Sequence, residues 1–383
     1  FEANNININA PGRAGAIMIE GIASPADTIT LADTKVTTEA GTEGAAGGPI
    51  TITGTTVDLG GTLITANTAG AANAGAITFN AGTLTLNDTF VTSSSTSTDT
   101  NAGKAGNAGS VTMTATGSFT SSVSTVATSA QQGAGGNVSI AAGDMRLTGI
   151  TTISAESAGS KDAGSIALTS ANDLLMRNST VTTSAAQASG GNIKLTAPHL
   201  IHLVDSTLTS SVQGQAGSNG GNINIDPQLV VIQNSQLLAT ANAGAGGNIT
   251  IAASGAVLVD PNSQLDASAG PAGVSGSVNI NSPIQVLSGT LVPLKLAYTQ
   301  AGLSGDRCAA DPTGRFSSFV QTGRDGVPQV PGALSPSPLS FLETLTSGSL
   351  RSQGPNWPAA RLGLDLVSID DSTLFRFHSA CRS

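Results

Sequence analysis

The chain has 383 residues, of which 10 % are charged and 3 % aromatic, with 47 glycines and a formal net charge of −9. Residues 1–299 hold 8 Lys/Arg against 17 Asp/Glu and residues 300–383 hold 7 of each, so no clustered basic surface is available for nucleic-acid phosphates. A mean hydropathy of +0.13 with evenly spaced Ile, Leu and Val excludes a disordered chain, and no stretch is long and apolar enough to span a membrane.

The chain starts at Phe1 rather than Met and reads as a processed or excised piece of a longer precursor. NNINI at 4–8 then alternates like a short strand, but Asn4 precedes Gly15 by only 11 residues, too few for a full copy of the repeat that follows. Two readings stay open: one face of an incomplete coil, or a strand that pairs with a neighbouring molecule.

Ten copies of that repeat follow, anchored at Gly15, Gly48, Gly75, Gly109, Gly136, Gly164, Gly191, Gly221, Gly247 and Gly276, with a mean spacing of 29 residues. Each anchor precedes two apolar residues separated by one position, from Ile17/Ile19 through Ile193/Leu195 to Val278/Ile280. That period of two marks a short strand with one face buried. A second alternating run follows in most copies, for example Val57/Leu59, Leu174/Met176 and Val230/Ile232. A third element reads Ser/Thr-x-apolar, as in Thr89-Phe-Val91 and Ser206-Thr-Leu208.

Three strands of four or five residues cannot build a core alone. Stacked on the next copy, equivalent strands lie parallel and about 4.8 Å apart. The expected fold is all-β: a three-faced parallel β-helix of about ten coils over residues 1–299, a rod of roughly 50 Å. A helical solenoid is excluded by the period of two, the β-branched residues and the glycines.

Stacking also explains the polar columns. Asn137, Asn192, Asn222 and Asn248 follow their anchors directly, so each amide is expected to bond to the Asn above and below, with Ser110, Ser165 and Ser277 in the same slot. The Ser/Thr of the third element should pair hydroxyls across coils in the same way. Thr51, Thr78, Thr112 and Thr250 are expected to form an outward ladder. The glycine clusters are turns that need positive φ or close backbone approach.

Residues 300–383 differ in character. They contain the Pro-rich stretch 327–338, five of the nine Phe, Trp357 and both cysteines, and are placed to cap the open end of the rod. Cys308 and Cys381 have 72 residues between them. They are either a disulfide, worth roughly 4 kcal/mol in the loop-entropy model, or two unpaired thiols; an extracellular setting favours the bridge.

The repeat pattern GGNI-x-I…L-x-x-x-S-x-L-x-A/T-S over residues 1–291, followed by CAADPTGRFSSFVQTGRDGVPQVPGALSPSPL at 308–339, resembles the C-terminal portion of two-partner-secretion exoproteins. These are the filamentous-haemagglutinin-like adhesins of Gram-negative bacteria, and the cyanobacterial members are nearest in flavour. The resemblance implies a right-handed β-helix, Sec export, an outer-membrane transporter partner during secretion, and an extracellular or cell-surface role in adhesion or matrix. The N-terminal secretion domain of that family is not visible here. Expected partners are surface carbohydrate or matrix and further copies of the chain, joined end to end or laterally.

Chemistry-bearing motifs are sparse. A β-helix polysaccharide lyase or hydrolase would need acidic groups converging on a groove. The candidates are Asp144 with Arg146, Asp173 with Arg177, Asp205 with His202, and Asp226; Asp144 and Asp173, with Asp226 close by, could stack into one column, and the plainer reading of all of them is turn and solvated-face residues. No GGxGxD calcium motif or GK[ST] phosphate loop occurs, and three His are too few for a His-based site. The N-x-S/T matches at Asn87, Asn137, Asn178 and Asn248 are read as chance. Neither a catalytic residue nor a cofactor or metal is expected.

Overall fold

A computed structural model describes residues 5–7, 14–21, 25–41, 46–99, 105–214, 217–271 and 273–287. The expected cap at 300–383, Cys308 and Cys381 included, lies outside the described residues. Every regular element among the described residues is a strand, and the strands pair in parallel. The described residues form a parallel β-helix.

One coil shows the plan. Ile193–Thr196 follows the anchor Gly191 and forms the first face, Leu200–Val204 the second and Thr207–Thr209 the third. Each face stacks ten rungs, which gives nine complete coils with part of a coil at either end. Nine steps of about 4.8 Å span roughly 43 Å. Asn5–Asn7 pairs with Lys35–Thr37 on the third face, with Ile6 beside Val36. NNINI is therefore one face of an incomplete coil.

Period-two alternation becomes burial because successive side chains point to opposite sides of a strand. The first-face columns beginning at Ile50 and Ile52, the second-face columns at Val57 and Leu59, and the third-face column at Ile64 are buried coil after coil and merge into one core. Ile and Leu make up the larger part of it, with Val and Ala filling most of the rest; the buried aromatics among the described residues are Phe79 and Phe119.

The three-strand reading of each copy needs one correction. In the second to fifth coils the first two faces are continuous strands: Ile50–Gly60, Ile77–Asn87, Val111–Ser122 and Val138–Thr148. From Ile166–Ser170 and Asp173–Arg177 onward they separate. Gly54, Gly82, Gly117 and Gly143 occupy the bend of the continuous strands, whereas Pro198, Pro227 and Pro283 stand at later corners. Proline removes a ladder N–H at the later corners that carry it, while the sixth coil separates at Ala171-Asn172 and the ninth at Ala253-Ser254-Gly255 without one.

The anchor glycines are needed for close approach. A Cβ on Gly191 would collide with the carbonyl oxygen of Gly164, one on Gly136 with that of Gly109, and one on Gly221 with that of Gly191. Among the described residues the left-handed glycines are Gly61, Gly149, Gly214 and Gly217, none of them an anchor. Where a threonine faces it, the anchor also latches the coil: the Gly191 N–H donates to Thr183 O (3.1 Å) and the Thr183 hydroxyl donates to Gly191 O (2.7 Å). Thr128 and Gly136 repeat the pair at 3.0 and 2.6 Å.

Left-handed backbone appears instead just before the third face. Asp33, Gly61, Asp88, Asn178, Asp205 and Asn234 hold positive φ there, as Asp, Asn and Gly do at least cost. Val123 (φ 53°) and Ile150 (φ 68°) occupy the same turn although both are β-branched, and they are 50 % and 75 % exposed. Exposure leaves little packing to lose, while the left-handed region costs such residues about 1–2 kcal/mol. Val123→Asn and Ile150→Asn should each stabilise the chain by about 1 kcal/mol. Thermal melts of the two variants that fall at or below that of the parent would refute this.

Candidate functional site

The Asn column forms a continuous ladder with its intervening serines. Asn137 Oδ1 accepts the Ser165 N–H (2.9 Å), Ser165 Oγ accepts the Asn192 N–H (3.2 Å), and Asn192 Oδ1 accepts the Asn222 N–H (2.9 Å). Asn222 Oδ1 takes the Asn248 N–H and Asn248 Oδ1 the Ser277 N–H, both at 2.9 Å. Only Asn222 Nδ2 to Asn192 Oδ1 (3.2 Å) is the amide-to-amide bond foreseen from sequence. The column therefore satisfies main-chain donors at the corner, with Asn137, Asn192 and Asn248 exposed.

The third-face hydroxyls differ from expectation in the same way. Ser206 Oγ donates to Val204 O (2.7 Å) and accepts the Ser179 N–H (3.3 Å), and Ser235 Oγ repeats this with Gln233 O (2.7 Å) and the Ser206 N–H (3.1 Å). These hydroxyls bond to main chain rather than to one another: they supply acceptors for the Ser179 and Ser206 N–H groups and share Val204 O and Gln233 O with the Asn178 and Asp205 N–H groups. Both columns hold the coils together.

The acidic candidates are only partly assembled. Met145 pairs with Leu174, so Asp144 and Asp173 stand at the same register on neighbouring rungs of the second face. Asp226 does not join them: it pairs with Thr196 on the first face, at the Pro227 corner, beside a hollow of about 460 Å³. His202 Nε2 faces Gln233 Oε1 (2.9 Å), whereas Asp205 Oδ1 accepts Asn234 Nδ2 (2.6 Å), so His202 and Asp205 serve separate contacts. Asp260 closes the same turn column. Burial pushes its carboxyl up, but hydrogen bonds from the Ser263 hydroxyl and from main-chain N–H groups including that of Asn234 prevail and hold it below the ordinary carboxylate value. No three His, Cys, Asp or Glu side chains among the described residues lie close enough to share a metal ion.

Thr51, Thr78 and Thr112 do stack on consecutive rungs of the first face, half-buried rather than fully exposed. Ser139, Ala167, Lys194 and Asn224 continue the column before it reaches Thr250. The threonine run is confined to one part of the rod.

Two surface features were missed by sequence reasoning. The first is a change along the outer side of the second face. One column runs Thr30, Asp58, Thr85, Thr120, Arg146 and then Leu175, His202, Val231, Leu258, Val286. Beside its second half stand Leu200, Leu229, Ala256 and Ile284. Ile284 and Val286 are 59 % and 45 % exposed. The signal was present in continuous apolar runs such as LVVI at 229–232, which mark strands apolar on both sides.

The second is a groove of about 790 Å³ that crosses six coils where the chain leaves the third face. Parallel bridges keep its floor in step, Ala130 to Ser157 to Ala185 to Val212 to Ala241 to Ala269. Those floor residues are buried or half-buried, and the residues on either side of them, such as Ser184 and Ala186 or Ser211 and Gln213, form its two walls.

The fold and these surfaces define the class: a parallel β-solenoid with polar ladders, one apolar half-face and one longitudinal groove. Comparisons with protein-family models, with curated proteins and with solved structures found no match.

Proposed function

We propose that this chain is a rod of the cell surface that acts by adhesion or by assembly into extracellular matrix or filaments, and that it works without catalysis. Repetition is the observation that supports the reading. Ten rungs per face present each outward position as a line of side chains about 4.8 Å apart, so weak contacts multiply along the length. The proposal takes from the sequence resemblance an exit through an outer-membrane transporter and a place outside a Gram-negative cell.

Self-association belongs to the same proposal. Among the described residues, Ile17–Ile19 and Val278–Asn281 pair on one side only, and unpaired strand edges recruit further strands. End-to-end stacking would be heterologous and open-ended, and the apolar half of the second face offers a lateral contact. Electron microscopy of native material tests the reading. Ordered polymers on the cell surface would identify a filament or sheath subunit and isolated surface fibrils an adhesin; a chain confined to the cell interior would overturn both.

A further inference from the structure

We propose that the longitudinal groove holds one extended chain of a neutral, unbranched, equatorially linked polysaccharide, a ligand assignment that deepens the cell-surface reading above. The groove runs across the coils, not along a strand, so whatever fills it meets the same wall chemistry once per coil spacing of about 4.8 Å. Five such steps cover roughly 24 Å, and 790 Å³ lies within the usual range for ligand sites.

Three classes of linear polymer could lie in such a slot, and periodicity and charge separate them. An extended polypeptide advances about 3.3 Å per residue and repeats its side-chain direction every second residue, which falls out of step with the walls within two coils. A polyanion, whether nucleic acid or acidic glycan, needs cationic partners; no Lys or Arg lines the groove, and Glu156 does. A neutral pyranose chain advances by close to one coil per sugar and carries hydroxyls on both edges.

The walls suit that ligand. Ser184, Ser211, Gln213, Thr240 and Asn242 present hydroxyls and amides that both donate and accept. Thr240 Oγ1 donates to Ser211 Oγ (2.8 Å) and the Thr182 hydroxyl contacts Ser184 Oγ (3.0 Å), so several wall hydroxyls bond to other hydroxyls. Ser211 is already engaged, donating to Leu238 O (3.4 Å) and accepting the Thr240 N–H (3.4 Å), so the exposed Gln131, Gln213 and Asn242 amides carry the capacity for a ligand. No aromatic side chain lines the groove, so affinity per sugar is weak and must accumulate with length.

The test titrates the full chain with cello-, xylo- and manno-oligosaccharides of two to six sugars, with polygalacturonate, and with an uncharged Ser/Thr-rich peptide. The expected result is affinity for at least one neutral series that rises tenfold or more from disaccharide to hexasaccharide. Ser211→Tyr and, independently, Gln213→Tyr should reduce it at least tenfold with unchanged melting, while Thr78→Tyr on the first face should not. The proposal is overturned by saturable binding to none of the neutral hexasaccharides, by tighter binding of polygalacturonate or peptide, or by indifference to both groove variants. Any of these results removes the groove and leaves the rod reading standing, because microscopy of native material tests that reading separately.

Discussion

Gly191→Ala is expected to destabilise the solenoid by at least about 3 kcal/mol, whereas Gly60→Ala should change stability by less than about 0.5 kcal/mol. Both glycines lie in ordered coils without a left-handed φ, so intrinsic backbone preference is not what separates them. A Cβ on Gly60 would meet nothing, while one on Gly191 would sit inside the contact distance of Gly164 O. That oxygen belongs to the main chain and cannot rotate away. Relief requires the sixth and seventh coils to part, which strains the Ile166–Ile193 pairing and the latch between Gly191 and Thr183. Overpacking alone costs about 1–3 kcal/mol, and each lost hydrogen bond adds about 1 kcal/mol.

Position in the stack shapes the readout. Coils contact mainly their neighbours, so a weak interface in the middle divides the cooperative unit. Hydrogen exchange should show protection lost first on either side of residue 191, with the terminal coils retaining more of theirs. Equal protection and equal melting for Gly191→Ala and Gly60→Ala would refute the close-approach argument, and with it the reason for the repeated anchor.

That anchor was the most legible feature of the chain, because close approach admits one residue type and period-two burial admits few. Inward columns such as Ile193/Leu195 could be read residue by residue. Partner choice within the columns was less legible. Asn192 and Asn222 stack as expected, but whether Oδ1 meets an amide or a main-chain N–H depends on the pitch of the corner, which no residue name encodes. Asp226 illustrates a second limit: Pro227 turns the chain one position later, so Asp226 stays on the first face while Asp173 begins the second. The groove was invisible for a third reason. Its floor of Ala130, Ala185 and Ala241 looks like spacer sequence, and the concavity arises from the path of the backbone rather than from any marked side chain.

Phe119 and Ser121 give the second large effect, through size compensation. Along the second face the inward pairs read Leu84/Leu86, Phe119/Ser121 and Met145/Leu147 on consecutive rungs. The fourth coil thus places its bulk at the first position and a serine at the second, and both side chains are buried. Phe119→Ala should cost about 3–5 kcal/mol, since it empties the core beside an already small residue. Phe119→Leu alone should cost about 1–2 kcal/mol. Ser121→Leu alone should cost about 1–3 kcal/mol by overpacking against Phe119, and it removes the Ser121 Oγ to Thr151 Oγ1 contact (3.3 Å). Together, Phe119→Leu and Ser121→Leu rebuild the Leu/Leu pair of the neighbouring third coil. The double variant should therefore be more stable than the sum of the single losses by at least about 1 kcal/mol, a coupling that a double-mutant cycle from denaturant melts measures directly. Strict additivity would mean that the two side chains do not share one space.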